Sequence, residues 1–238
     1  MPTGPLLPSS PPSQLNDRLS LGLHRVWKRM AVRWAGARPG SAALDVCCGS
    51  GDVAALLAAA VGPAGHVVGL DFAPAMIERA RGKEGGRPAG RARRAAVDWR
   101  VGDATSLPFA DASFDAVTIA YGLRNVADPD AALAEAFRVL RPGGRCAVLD
   151  FNNVRDNPAL DAVQAAVLSA FVVPAAQAAG LGPQYEYLRP SIQGWWTGRE
   201  QEEAAARAGF AGAVHHAIGL GLMGCLVAVK AGVAPKGV

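Results

Sequence analysis

Apolar and polar positions along the chain switch between two periods, and this switching predicts strands that alternate with helices. Short apolar runs bounded by turn residues predict five strands, at 42–46, 66–71, 97–101, 114–120 and 145–151. Apolar residues at helical spacing predict helices at 15–34, 53–61, 74–81 and 129–140. A helix at 198–208 and two strands at 212–219 and 223–230 close the chain. Such alternation is typical of an α/β fold, in which helices cover both faces of a mostly parallel sheet.

The chain is predicted to form a single domain over 17–232. Its 238 residues suffice for one large domain, and half of them are apolar. Residues 1–16 are rich in Pro and Ser, which predicts a disordered tail or the remnant of a targeting segment, and 233–238 form a second tail. The insertion at about 155–197 interrupts the strand and helix pattern, so we expect it to form a lid over a substrate.

The net charge is modest but unevenly distributed. The 24 basic and 20 acidic side chains give a formal net charge of +4. Residues 17–38 and 81–94 each hold six basic side chains and one acidic side chain, and the second island covers a solvated loop predicted at 82–94. Basic islands occur on proteins that bind nucleic acids or anionic membranes. Because 81–94 has no interleaved aromatic residues for base stacking, no nucleic-acid partner is expected.

Cysteine spacing and hydropathy argue against a metal site and a membrane span. Cys47, Cys48, Cys146 and Cys225 form no C-x-x-C pair, so neither a disulfide framework nor a metal site is predicted. The uncharged stretches at 162–185 and 208–229 contain Pro and Gln or His and several Gly, so no transmembrane segment is predicted.

A glycine loop after the first predicted strand is the strongest sign of a cofactor site. Gly49-Ser50-Gly51 allows the backbone to turn tightly and to approach a ligand. Asp71 lies twenty residues after Gly51, at the end of the second strand, where a carboxylate can accept hydrogen bonds from a ribose diol. These features predict an adenosine-containing cofactor. The loop also satisfies the G-x-G-x-x-A fingerprint of dinucleotide-binding proteins, so it leaves NAD and S-adenosylmethionine open.

Further carboxylates at strand ends favour a cationic cofactor. Asp45 lies four residues before Gly49, where it would repel a pyrophosphate and attract an ammonium group or a sulfonium. Asp103 follows the third strand and can accept a hydrogen bond from the exocyclic amine of an adenine. Tyr121 and Asp150 lie at the ends of the fourth and fifth strands, at the sheet edge where ligands of such folds bind.

Several segments resemble quinone-biosynthesis C-methyltransferases, a family of class I S-adenosylmethionine-dependent methyltransferases. The resemblance covers about 19–230 and rests on segments 71–76, 102–109, 113–126 and 137–144. The sequence Tyr-Gly-Leu-Arg-Asn-Val at 121–126 is the most specific, because generic methyltransferases lack it. The plastid branch of the family is similar at 24–30, 45–51, 149–152, 185–188 and 221–224. The Arg- and Gly-rich loop at 82–94 departs from the family pattern.

The resemblance implies a Rossmann-like fold with seven strands and methylation of a ring carbon of 2-phytyl-1,4-naphthoquinol (demethylphylloquinol) in phylloquinone biosynthesis. It further implies a chloroplast location, with the cytoplasm of a photosynthetic bacterium as the alternative. Precursors of menaquinone or ubiquinone are the alternative substrates, and an RNA-binding methyltransferase and an NAD-dependent oxidoreductase are the rival functions. S-adenosylmethionine is the implied cofactor, bound by Asp45, Gly49, Ser50, Gly51, Asp71, Phe72, Asp103 and Ala104.

Ring-carbon methylation requires a stabilised oxyanion and a base. We expect Arg124, with Asn125 beside it, to stabilise the oxyanion. Tyr121 and Asp150 are candidates for orienting or deprotonating the quinol. A strand-end turn with a salt bridge is the alternative role of Arg124 and Asn125.

A lipophilic substrate also requires an apolar path and access to a membrane. Apolar residues at 160–173, with Leu181, Trp195 and Trp196, predict a channel for the phytyl tail, or else plain core. The helix that ends at Trp34 carries Arg25, Lys28 and Arg29 beside apolar positions, which predicts peripheral contact with an anionic membrane.

Overall fold

A computed structural model describes residues 22–85, 94–172 and 188–232, together with residues 174 and 177. One seven-stranded sheet organises these residues, with the order β3-β2-β1-β4-β5-β7-β6. The strands are β1 Ala42–Val46, β2 His66–Asp71, β3 Val97–Val101, β4 Phe114–Ala120, β5 Leu140–Phe151, β6 Gly212–Ile218 and β7 Met223–Val229. Neighbouring strands from β3 to β5 pair in parallel, whereas β7 is antiparallel to both β5 and β6. The predicted α/β class and mostly parallel sheet are therefore confirmed.

Seven α-helices are described, along with shorter helical turns at 123–125, 168–172 and 219–221. They are α1 Leu23–Trp34, α2 Asp52–Val61, α3 Pro74–Gly85, α4 Pro129–Val139, α5 Pro158–Val167, α6 Leu188–Gln193 and α7 Gly198–Arg207. Side chains of α1, α2 and α3 pack on one face of the sheet, and those of α4 and α7 pack on the other. The central strands are buried on both faces, which is why their sequences are almost continuously apolar.

Two predicted boundaries are wrong, and tertiary contacts explain both. Helix α3 continues to Gly85, so the predicted loop at 82–94 begins too early; Lys83 and Glu84 hold this last turn through bonds to Asp52 and Trp99. Strand β5 begins at Leu140 instead of 145, because Leu140 pairs with Phe114 before residues 141–144 bulge out of register.

Part of the predicted organisation lies outside the described residues. This applies to the tails at 1–16 and 233–238, to residues 86–93 of the loop predicted at 82–94, and to the start of the first helix before Gly22. In the insertion at 155–197 the structure describes α5, the turn at 168–172 and α6. The lid stays a prediction. No helix among the described residues has both the length and the apolar character needed to cross a membrane.

Candidate cofactor and quinol site

The loop between β1 and α2 turns sharply at the carboxyl edge of the sheet. Cys47, Gly49 and Gly51 have positive φ angles of 55°, 53° and 82°. A Cβ atom at Gly51 would overlap the ring of Trp99, so backbone and ring can approach this closely only at a glycine. The loop is thereby held close to the ends of β1 and β2, with its backbone at the surface of the site.

Asp71 anchors this loop from the end of β2. Its carboxylate oxygens accept hydrogen bonds from the backbone amides of Gly49, at 2.7 Å, and Ala73, at 2.9 Å. Each oxygen retains a second lone pair, so the carboxylate can also accept hydrogen bonds from a diol. The next side chain, Phe72, is 66% exposed and offers an aromatic surface beside that carboxylate.

Asp45 lies beneath the loop, where it is 1% exposed. One of its oxygens accepts a hydrogen bond of 2.7 Å from the hydroxyl of Thr118, which faces it in the β1–β4 register. The other oxygen, Oδ2, is buried without a hydrogen-bond partner. Burial raises the pKa of Asp45 to about 7, although Thr118, the amide of Ala54 and the charge of Lys28 oppose the rise.

A lysine pair fixes the start of α2. Lys28 Nζ lies 3.0 Å from one carboxylate oxygen of Asp52, and Lys83 Nζ lies 3.2 Å from the other. Lys83 also donates a 2.6 Å hydrogen bond to the hydroxyl of Ser50. Burial opposes the effect, but the two lysine charges lower the pKa of Asp52. The predicted surface role of Lys28 is therefore wrong, since its side chain is only 12% exposed and pairs with Asp52.

Asp103 and Ala104 lie beyond the end of β3. Oδ1 of Asp103 accepts hydrogen bonds of 2.8 Å from both the amide and the hydroxyl of Thr105. Asp103 is exposed, whereas Ala104 is buried in the core below it. The turn thus fixes a carboxylate at the surface of the sheet edge.

A second group of polar side chains follows β4 and β5. Arg124 forms an ion pair with Asp150, and the two side chains are 10% and 2% exposed. Arg124 also donates to the backbone oxygen of Tyr121 at 3.2 Å, and its guanidinium lies 5.4 Å from the centre of the Phe151 ring. Oδ2 of Asp150 is buried without a hydrogen-bond partner. Burial raises the pKa of Asp150, and the positive charge of Arg124 opposes this rise.

Tyr121 occupies a tight turn at the end of β4. Its φ angle is 60°, an uncommon value for a bulky residue, and its amide donates to the backbone oxygen of Leu149 at 2.7 Å. Burial and the nearby charge of Asp150 raise the pKa of the Tyr121 phenol well above its usual value. The phenol therefore stays protonated at neutral pH and can act as a hydrogen-bond donor. Asn125 is exposed, and its amide lies 3.5 Å from the Tyr121 carbonyl.

The two groups of side chains meet around Cys47. Burial and then the charges of Asp71, Asp45, Asp150 and Asp103 raise the pKa of this thiol to about 12. The same thiol adjoins the turn after β4, because a Cβ atom at Gly122 would overlap Cys47. The structure therefore brings the residues predicted from separate strand ends to one acidic region.

The apolar channel residues do not all line a path. Trp195 is 4% exposed, belongs to the core on the α4 and α7 face, and stacks on Trp196 at 4.8 Å between ring centroids. For Trp195 the alternative reading as plain core is therefore the one the structure supports. Leu181 and residue 173 lie outside the described residues.

Sequence reasoning missed Thr118 and Lys83. Thr118 is a polar residue inside an apolar strand, and this placement is a signal for a buried partner. Nothing in the sequence indicated that Lys83 contacts the glycine loop, because its partners Ser50 and Asp52 are more than thirty residues away.

Comparison with known proteins identifies the family. The sequence profile of the ubiE/COQ5 methyltransferase family matches residues 10–230 of the chain. The chain belongs to the ubiE/COQ5 methyltransferase family. A 2-phytyl-1,4-naphtoquinone methyltransferase of Nostoc punctiforme is 48% identical over 217 residues, which cover 91% of this chain and 92% of that protein. The chloroplastic 2-phytyl-1,4-beta-naphthoquinone methyltransferase of Arabidopsis thaliana is 47% identical, covering 91% of this chain and 82% of that protein.

Solved structures agree with this assignment at the level of the fold. A SAM-dependent methyltransferase from Aquifex aeolicus has a TM-score of 0.62 at 18% identity, covering 93% of this chain and 99% of that chain. A SAM-dependent methyltransferase from Methanosarcina mazei has a TM-score of 0.56 at 20% identity, covering 81% and 93%. This ubiE/COQ5 family member therefore has the class I methyltransferase fold, and the dehydrogenase alternative is wrong.

Proposed function

We propose that this enzyme transfers a methyl group from S-adenosylmethionine to a ring carbon of 2-phytyl-1,4-naphthoquinol, a step of phylloquinone biosynthesis. The observation that carries the proposal is the identity of 48% and 47%, over nine tenths of the chain, to two 2-phytyl-naphthoquinone methyltransferases. The chloroplastic location of the Arabidopsis relative supports a chloroplast as the site of action. Precursors of menaquinone and ubiquinone are the alternative substrates that the experiment below distinguishes.

The residues around the glycine loop fit S-adenosylmethionine. The cofactor, when bound, supplies an electrophilic methyl group on a sulfonium. Asp71 offers lone pairs to a ribose, and the exposed ring of Phe72 offers a surface for an adenine. Asp103 can accept a hydrogen bond from the adenine amine, with Ala104 below it. When it is ionised, the buried carboxyl of Asp45 adds negative potential under the loop, and this potential favours a cofactor that carries positive charge.

Around Arg124, the chain supplies what a quinol requires. The ring carbon beside the phytyl-bearing carbon becomes nucleophilic when the hydroxyl next to it loses its proton. Arg124 lies nearly buried at the end of β4, where a positive charge stabilises the resulting oxyanion strongly. Its ion pair with Asp150 and its contact with Phe151 hold the guanidinium in place without side-chain reorganisation.

The side chains beside Arg124 can orient the quinol and accept a proton from it. The unpartnered Oδ2 of Asp150 can accept a proton, and the raised pKa of this carboxyl makes it a better base than an exposed aspartate. Tyr121, protonated at neutral pH, donates a hydrogen bond that orients the quinol. Asn125 lies exposed at the same turn, where its amide can bind the second quinol oxygen or a water.

The decisive experiment measures methyl transfer by the purified chain from labelled S-adenosylmethionine. Demethylphylloquinone is supplied in its reduced and its oxidised form, next to demethylmenaquinol and the ubiquinol precursor. We expect rapid methylation of the reduced phytyl substrate and none of its oxidised form, because only the quinol can form the oxyanion. Methylation of the oxidised form alone would refute the quinol mechanism. Faster methylation of demethylmenaquinol or of the ubiquinol precursor would identify that quinol as the substrate instead.

A further inference from the structure

A leucine protrudes from the sheet edge that carries the proposed site. Leu220 is 93% exposed and has a φ angle of 59°. Its neighbours Gly219 and Gly221 also have positive φ angles, of 58° and 87°, so three successive residues are left-handed. The exposure of a bulky apolar side chain to water is unfavourable, and the left-handed backbone conformation of such a residue costs further free energy.

The protruding turn, residues 219–221, is held rigidly between two helices. A Cβ atom at Gly219 would lie 3.0 Å from the Trp27 ring of α1, and one at Gly221 would lie 3.3 Å from Leu160 of α5. Asn152 donates to the carbonyl of Gly221 at 2.9 Å from its side chain and to that of Leu222 at 3.0 Å from its amide. These contacts and hydrogen bonds hold the turn in place, so the position of Leu220 is well defined.

The turn lies at the same edge as the quinol site. Ile218 at the end of β6 pairs with Met223, and Met223 pairs with Phe151 at the end of β5. Asn152, which holds the turn, follows two residues after Asp150. A substrate that leaves a bilayer at the point where Leu220 touches it is therefore already close to the Arg124–Asp150 pair.

Helix α1 places exposed apolar residues and arginines beside Leu220. At about 100° per residue, Leu23 and Val26 lie on the side of α1 next to Trp27, and Arg29 and Arg33 follow on its outer side. Leu23 and Val26 are 48% and 45% exposed, and both arginines are exposed. Arg29 and Arg33 form no ion pair with any residue in the described part of the chain. An apolar stripe bordered by arginines matches the interface of an anionic bilayer.

We propose that the turn 219–221 and the outer side of α1 form a docking surface for an anionic lipid bilayer. Leu220 inserts among the acyl chains, while Arg29 and Arg33 contact the headgroups. The assignment to a bilayer rests on the proposed function, because a phytyl quinol resides among lipids. Leu220 protrudes at one place, and Arg29 and Arg33 lie beside it on α1. This arrangement suits acyl chains and headgroups better than it suits a flat protein surface.

The test is flotation of the full chain with phosphatidylcholine vesicles, with or without phosphatidylglycerol. Leu220→Asn suits the turn, because Asn tolerates positive φ, and it should weaken partitioning about tenfold on vesicles of either composition. Val101→Thr is the control: Val101 is 51% exposed on β3, the outer strand farthest from β6, and its replacement should leave vesicle binding unchanged.

The double variant Arg29→Gln with Arg33→Gln should weaken binding about 20-fold on vesicles that contain phosphatidylglycerol only. Added salt should have the same effect on the wild-type chain. The matched control is Arg199→Gln with Arg207→Gln on α7, where both side chains are exposed. Absence of wild-type binding, or wild-type binding by Leu220→Asn or by the double variant, would overturn the docking surface.

Methylation of a short-chain naphthoquinol in solution separates this inference from the proposed function. The Leu220 and Arg29/Arg33 variants should methylate it at the wild-type rate. If the wild-type chain binds vesicles as expected but methylates no quinol, the function is wrong and the surface stands. If it methylates the quinol while Leu220→Asn floats like the wild type, the surface is wrong and the function stands.

Discussion

Asp45 should destabilise the fold whenever it is ionised, and Asp45→Asn should remove this cost. Burial raises its pKa from 3.8 to about 7. The carboxyl therefore ionises in the unfolded chain at lower pH than in the folded one, so its contribution to stability is lost as pH rises from 4 to 7. At 1.36 kcal/mol per pKa unit, the cost is about 4 kcal/mol at pH 8 and about 2 kcal/mol at pH 5.

The assay is urea denaturation of wild type and Asp45→Asn at both pH values, followed by tryptophan fluorescence. The side-chain amide of Asn can still accept the hydrogen bond from Thr118, but its NH₂ group lacks a partner at the Oδ2 position, which costs about 1–3 kcal/mol at every pH. The stability of the variant should therefore rise by about 2–3 kcal/mol relative to wild type between pH 5 and pH 8. Its affinity for S-adenosylmethionine should fall at the same time.

A control substitution separates this effect from a change in surface charge. Asp156→Asn removes the same formal charge from an exposed carboxyl in the turn before α5, so it reports the effect of surface charge alone. An Asp45→Asn effect that has the same size at both pH values would refute the argument, because it would show that the Asp45 carboxyl ionises alike in the folded and the unfolded chain.

Other predictions concern the glycine loop and the Arg124–Asp150 pair. Gly51→Ala should lower the free energy of unfolding by about 2–4 kcal/mol, because the new methyl group overlaps Trp99 at a positive φ; urea denaturation measures this. Arg124→Gln should reduce kcat at least about 100-fold and also lower the melting temperature, because Asp150 loses its partner. Adding Asp150→Asn should restore the melting temperature without restoring turnover, whereas a purely structural pair would regain both. Asp71→Asn should raise the Kd for S-adenosylmethionine about tenfold or more in calorimetry, and an unchanged Kd would exclude the ribose contact.

Local patterns sufficed for the sheet and its strand ends. The parallel strands β1, β2 and β4 are short apolar runs, and each has the bounds expected from its sequence. Because the carboxyl ends of parallel strands share one edge, the sequence places Asp71 and Asp150 at the same edge of the sheet. The proposed roles of Arg124 and Asn125 rest on the reaction that the family resemblance implies, because no local pattern contains them.

Interactions between distant segments could not be predicted. The hydroxyl of Thr118 reaches Asp45 across 73 positions through strand register, which sequence periodicity does not specify. The sequence predicts Lys28 on a charged surface because it lies among basic residues beside apolar helical positions, but helix α1 turns its side chain toward Asp52. Gly82 and Gly85 have poor helix propensity, and the hydrogen bonds of Lys83 and Glu84 to other elements keep this turn helical.

The strand order has a consequence for synthesis of the chain. The last strand, β7, lies between β5 and β6, and Lys230 beyond it donates to the carbonyls of Phe137 and Leu140 at 2.7 Å. Until Met223–Val229 has left the ribosome, β5 therefore presents an open strand edge to the surrounding solution, and β6 has no neighbour to pair with. The Arg124–Asp150 pair lies beside that open edge, so the proposed quinol site is completed only after β7 has been synthesised and has paired with β5.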